Sequence, residues 1–312
     1  MPINKIGINN SIAFRADKKS VNPKTGEYSD PLMKWPLRGA AFTNEVGEAL
    51  RPLIGNYATL SWVPALLYIG SDIYDKYKND QTEYSPSSHR GLEQAIFQGM
   101  ASIFLPLVAV KAGQNLFSLI GQSGSDKITY NSKEHITELA QAFVANGKMR
   151  AYKGNDQECV KEFLDIVTNN MDYKKQRTDT SNIFKKTQLW FSDKLCTVSK
   201  VNKKENIDKY AESTINELIK MRKDLLNTPI GENKTPWHKH YKSALDSGQT
   251  KNVAVKSVLN KYLQNKTLKG KTIKTIGGFI ALGLAIKPID HFVEEVLIGK
   301  VIAPKLAKKK SV

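Results

Sequence analysis

Acidic side chains sit at the borders of uncharged stretches in this sequence. Glu45 and Glu48 precede one such stretch, with Arg51 three residues beyond Glu48; Asp72 and Asp75 follow it, then Lys76. Asp290 comes two residues after Pro288, at the end of another apolar run. Ionisable groups at the end of a membrane span are expensive to place and so point to function. Glu48 and Arg51 at i, i+3 can pair on one helix face, which lowers the cost of partial burial. Glu48, Asp72, Asp75 and Asp290 could then line a polar path. On a water-soluble helix the same residues would be end charges and surface pairs.

Other chemistry has little support. There is no GxxxxGK[ST], no GxGxxG after a strand, no GxSxG elbow and no HExxH. No cofactor, metal or catalytic residue is expected, and the reading is of a non-enzyme. The two cysteines exclude a disulfide-rich scaffold and a multi-cysteine metal module. Cys159 and Cys196 lie far apart, and a Cys–His nucleophile is left as an open alternative. In Trp237-His238-Lys239-His240-Tyr241 the histidines are i, i+2, which on a helix point to different faces, and a lysine between them repels a cation. A solvated loop is expected there.

The elements that would hold the acids are apolar. Residues 53–70, LIGNYATLSWVPALLYIG, carry no charge; as one helix they would cover about 27 Å, near the thickness of a bilayer's hydrocarbon core. Residues 95–110, AIFQGMASIFLPLVAV, are also uncharged, with Pro106 placed to kink a helix and Lys111 next. A third run, residues 275–286, is short for a span, and Lys287 would have to snorkel to extend it. Its Gly277, Gly278 and Gly283 allow close helix approach. Buried helices of a soluble protein are the alternative for all three.

The whole chain has 312 residues, a net charge of +17 and a mean hydropathy of −0.41, so it is not mostly membrane. Residues 122–271 hold 28 Lys+Arg against 17 Asp+Glu. Helical periodicity marks Ile136, Leu139, Ala140 and Phe143, then Val160, Phe163, Leu164 and Val167, then Ile215, Leu218, Ile219 and Arg222 with Leu225 and Leu226 close by. Loops are expected at Asn155–Asp156, 202–205 and 229–236. Lysine outnumbers arginine 25 to 3 and acids are interspersed, so nucleic acid is not expected as a partner. Anionic lipid or a protein partner suits this surface better. The fold class expected is all-α: a multi-helix integral membrane domain (39–121 and 270–304) interrupted by a soluble, basic helical insertion (122–269). A flexible polar leader (1–38) precedes it and a basic tail (305–312) follows. The leader has no apolar h-region, so a secretory signal is not expected. Lys5 and Arg15 before Asp17, with Ser11, match an organellar presequence in part.

Four blocks in order resemble the mitochondrial fission process protein family. They are Asn44-Glu45-Val46-Gly47-Glu48-Ala49 with Arg51; Tyr68-Ile69-Gly70-Ser71-Asp72-Ile73-Tyr74-Asp75-Lys76; Gln98, Ala101, Ser102 and Pro106; and Pro288-Ile289-Asp290 with Val293 and Leu297. The resemblance covers residues 38–121 and 270–304, under half the chain. It implies a small multi-pass inner-membrane protein associated with fission and inner-membrane integrity, mitochondrial in a eukaryote and in the cytoplasmic membrane if bacterial. It implies no catalytic residue. The family joins its second and third segments by a short stretch, whereas here residues 122–269 intervene.

Seven Lys+Arg before residue 40 place the N-terminus on the cytoplasmic or matrix-like side. Runs one and two then go out and back, leaving the insertion inside. A third span would send the lysine-rich tail outside, against the same rule. Either the third run is re-entrant, or residues 288–303 return across the membrane or lie on its surface. The function expected is membrane organisation, with the lipid bilayer as partner and room for a homo-oligomer. A small carrier, channel or carrier regulator is the first alternative; a soluble helical interaction protein is the second.

Overall fold

In the computed structural model of the chain, the described residues are 32, 34–80, 83–84, 86–151, 155–171, 204–229 and 235–308. Most of the leader, Cys196, the middle of the 229–236 loop and the end of the tail lie outside them. The described residues are helical, apart from connections and a two-residue antiparallel pairing of Asn79–Asp80 with Glu83–Tyr84. The helices are α1 (Leu37–Ala40), α2 (Thr43–Ile54), α3 (Trp62–Lys78), α4 (Ser88–Phe97), α5 (Leu105–Ser118), α6 (Tyr130–Ala145), α7 (Lys148–Ala151) and α8 (Asp156–Met171). There follow α9 (Lys204–Asn227), α10 (Pro236–Asp246), α11 (Lys251–His291) and α12 (Ala303–Lys308). The chain divides into two compact units, residues 1–114 with 275–312, and residues 115–274.

The second unit packs as the periodicity of its helices requires. Ile136, Ala140 and Phe143 of α6, Phe163 and Val167 of α8, and Ile215, Leu218 and Leu225 of α9 are buried in one apolar core. Tyr241 of α10 and Val258, Leu259 and Leu263 of α11 complete it. The Phe143 and Phe163 rings meet edge to face, 5.5 Å between centroids. With Met149 of α7, six helices share this core, where two or three were expected. Leu226 stays off it, 40% exposed. A cap starts α6: Thr129 Oγ1 accepts from the Ser132 N–H at 3.2 Å.

The Trp237–Tyr241 segment is not a solvated loop. Pro236 sits in the first turn of α10, which Pro favours because its missing N–H would be unpaired there anyway. His238 and Tyr241 turn inward, while His240 is exposed. His238 Nδ1 shares a hydrogen bond with Thr235 Oγ1 at 2.8 Å, and its Nε2 is 3.4 Å from Asp224 Oδ2. Cys159 is a buried free thiol of the core, and burial raises its pKa.

The first unit corrects two expectations about the apolar runs. Residues 53–70 are not one helix: α2 ends at Gly55, whose φ is +58, and residues Gly55–Ser61 form a 3-10 segment before α3. The third run is not an isolated short helix. It lies in a helical stretch, Lys251–Leu306, of 56 residues, in which Phe292–Ile302 are π-helical. No turn interrupts this stretch, which counts against a re-entrant third run and against a separate surface helix over 288–303. The second run lies in the helical stretch Ser88–Ser123, of 36 residues. Both stretches are long and apolar enough to cross a membrane.

Candidate functional site: a polar interior in an apolar shell

The first unit buries many polar side chains beside two small apolar clusters and exposes many large apolar ones. Among its buried side chains are Asn44, Glu45, Glu48, Asp72, Gln98, Gln114 and Asp290. Large apolar side chains face outward: Leu67 is 68% exposed, Phe104 47% and Leu284 74%. Only 33% and 28% of the two most apolar windows is buried. Exposing large apolar side chains to water forfeits up to about 1.5–3 kcal/mol each, whereas hydrocarbon surroundings remove that cost.

Two prolines explain two of the buried amides. Pro106 has no N–H to give the carbonyl four residues back, that of Ser102. Asn44 Nδ2 donates to that carbonyl at 2.8 Å. Pro52, inside α2, likewise deprives the Glu48 carbonyl, and Gln114 Nε2 donates to it at 2.8 Å. Each freed acceptor is thus satisfied from another helix, as an interior without water demands. The turn ahead of Pro106 is opened into a π-helical segment, Gln98–Phe104, which gives the proline ring room.

The acids fall into local polar groups, two of which share Ser102. Asp72 of α3 accepts hydrogen bonds from Gln94 and Gln98, the latter at 2.6 Å, and Ser102 Oγ donates to Gln98 Oε1 at 2.6 Å. Gln94, Gln98 and Ser102 recur every four residues, so one face of the second helical stretch meets Asp72. Glu48 accepts from Arg51 Nε at 2.8 Å and from Trp62 Nε1 at 3.0 Å, with Lys111 Nζ 3.7 Å away. Burial alone would raise the Glu48 pKa; the hydrogen bonds from Arg51 and Trp62 and the charges of Arg51 and Lys111 outweigh it and hold the carboxyl below its ordinary value. Asp75 stands apart, accepting from Asn79 Nδ2 at 3.0 Å and pairing with Lys76 at 3.4 Å.

Glu45 and Asp290 form a third centre. Both line a small cavity of about 10 Å³, with Phe42, Phe97, Ala101, Ser102, Pro106 and Ile286. Glu45 lies on α2, outside the two long apolar stretches. Burial, and next the neighbouring Asp290 charge, push its carboxyl up to about 8. Ile289 packs on the apolar cluster of Phe97, Ala101, Val293 and Ile298. Tyr68 is buried on α3.

Glycine allows the close approaches. A Cβ on Gly47 would collide with Ser61 Oγ and lie 3.0 Å from the Ala58 carbonyl oxygen, so α2 needs glycine against the 3-10 segment. A Cβ on Gly113 would strike the Gly277 carbonyl and the Ala281 methyl, which fixes the crossing of α5 and α11.

No known protein family's profile matches the sequence, no curated protein does, and no solved structure matches the fold. The site therefore rests on its own geometry. The structure brings Asn44 to Ser102, Asp72 to Gln98, Glu48 to Arg51, and Glu45 to Asp290; Ser102, which donates to Gln98 and lines the Glu45–Asp290 cavity, joins the Asp72 and Glu45 groups. Gln114, Trp62 and Gln94 were missed. Gln94 could have been found from its four-residue spacing to Gln98 and Ser102. Among the described residues there is no group of three or more His, Cys, Asp or Glu able to hold a metal ion.

Proposed function

We propose that the chain is a non-enzymatic integral membrane protein that organises or remodels its membrane, as its resemblance to the mitochondrial fission process proteins implies. The observation that carries this reading is the sorting of the first unit: buried acids and amides inside, large apolar side chains outside. A soluble helical protein would put the same residues the other way round, as the second unit of this chain does. The second unit contributes a lysine-rich, water-facing surface suited to anionic lipid head groups, each well-placed lysine adding about 1 kcal/mol. A mitochondrial inner membrane, or a bacterial cytoplasmic one, is the setting that the resemblance implies.

Reconstitution tests it. Full-length protein incorporated into vesicles containing anionic lipid should change their size or shape, and that effect should weaken as salt rises. Unchanged vesicles at every protein density would sink the remodelling role.

The polar interior favours one second reading, a small carrier or channel. Reconstituted vesicles should then pass an ion or small solute, and Asp72→Asn should abolish the flux. Tight vesicles with wild-type protein count against it.

A further inference from the structure

Glu45 and Asp290 are both more than nine-tenths buried, at 6% and 8% exposure. They line one small space with room for about one water. Asp290 Oδ2 is buried with no hydrogen-bond partner. No basic side chain lines the space. The nearby cations Arg51 and Lys111 are engaged with Glu48 instead. Lys287, three residues before Asp290, is exposed and is not part of the lining. From the element carrying Asp290, Glu294 adds a further negative charge. From α4, α5 and the π-helical segment between them come Phe97, Ala101, Ser102 and Pro106, none of which titrates. His291 pairs with the exposed Glu295 at 3.1 Å.

Two carboxylates in such surroundings cannot both stay ionised without a positive charge between them. Glu48, Asp72 and Asp75 each accept a hydrogen bond, whereas the buried Asp290 Oδ2 has none. We propose that Glu45 and Asp290, with the water-sized space between them, form a binding site for a single proton, taken up from the aqueous phase and shared by the two carboxyl groups. On uptake one carboxylate becomes a carboxylic acid, whose O–H can serve the unpartnered Asp290 oxygen directly or through one water. On release the proton returns to water and the pair carries a second negative charge, which its packing disfavours. The site depends on the packing of the first unit, not on the membrane-remodelling role, so either can fail alone.

The test is infrared difference spectroscopy of full-length protein in detergent, recorded as pH rises at constant ionic strength. The wild type should show the carbonyl band of a buried, protonated carboxylic acid at neutral pH, lost as the pH passes about 8, where burial places Glu45. Glu45→Gln should remove the band. Asp290→Asn should keep it and move its midpoint down by about one pH unit or more, because a neighbouring negative charge is gone. If Glu45→Gln does not fold, the Asp290→Asn shift decides alone. No band at neutral pH in the wild type, or a band indifferent to both substitutions, overturns the proposal. A band abolished at neutral pH when sodium replaces choline also overturns it, since the site would then take a metal cation rather than a proton.

Discussion

The residue scale is where the first unit differs most from an ordinary helical protein. Its amides act as substitutes for missing backbone donors. Asn44→Ala should leave the Ser102 carbonyl without its partner and cost about 1–3 kcal/mol, read as a lower melting temperature in detergent. The assignment makes a sharper demand. In a Pro106→Ala background the backbone regains an N–H, so Asn44→Ala should cost clearly less there; equal costs in both backgrounds would show that Asn44 does not replace the proline's donor. A different residue-scale prediction concerns the second unit. Burial alone would raise the Glu217 pKa, but hydrogen bonds from Lys266 and Tyr262, each 2.5 Å, outweigh it and hold the carboxyl below its ordinary 4.5. A depressed folded pKa contributes stability that is present above 4.5 and lost as pH falls through the lower folded value. Thermal melts should therefore drop on acidification below pH 4.5, and drop less in Glu217→Gln. An identical acid response in the variant would contradict this.

Between helices, close contacts at glycine set the packing of the first unit. Gly47→Ala should force α2 away from the 3-10 segment, and Gly113→Val should separate α5 from α11; overpacking of this kind costs about 1–3 kcal/mol, measurable by melting in detergent. Exposed Gly283, with open space around its Cβ position, should accept alanine with no loss, which makes it the control. What could be read in the sequence divides along the same lines. In the second unit the 3.6-residue period of Ile136, Ala140 and Phe143 announces the buried face, because one helix alone contains the information. The loop expected at 229–236 hides the start of α10 at Pro236, so the sequence does not place His238 inside. In the first unit an uncharged run such as 53–70 shows where apolar surface lies but not where the helix breaks, and Gly55 sets that break through its positive φ. Gln114 meets Glu48 across 66 positions of sequence, and no local pattern records such a pairing.

At the scale of the molecule, one chain carries two differently sorted units. The second has an apolar core and a charged surface; Phe163, fully buried in that core, should cost about 3–5 kcal/mol when replaced by alanine. Loss of the second unit's melting transition in Phe163→Ala, with the first unit's retained, would fit two separate cores; a variant as stable as the wild type would contradict the core assignment. The first unit buries acids and amides and exposes large apolar side chains, and the central proposal is that a bilayer covers that exposed surface. It is tested most directly by fractionating cells that express the full-length protein and washing the membranes with alkaline carbonate. The proposal predicts that the protein stays in the pellet and leaves it only with detergent. Release into the carbonate supernatant would contradict it, and the apolar stretches Ser88–Ser123 and Lys251–Leu306 would then have to be covered by something other than a bilayer.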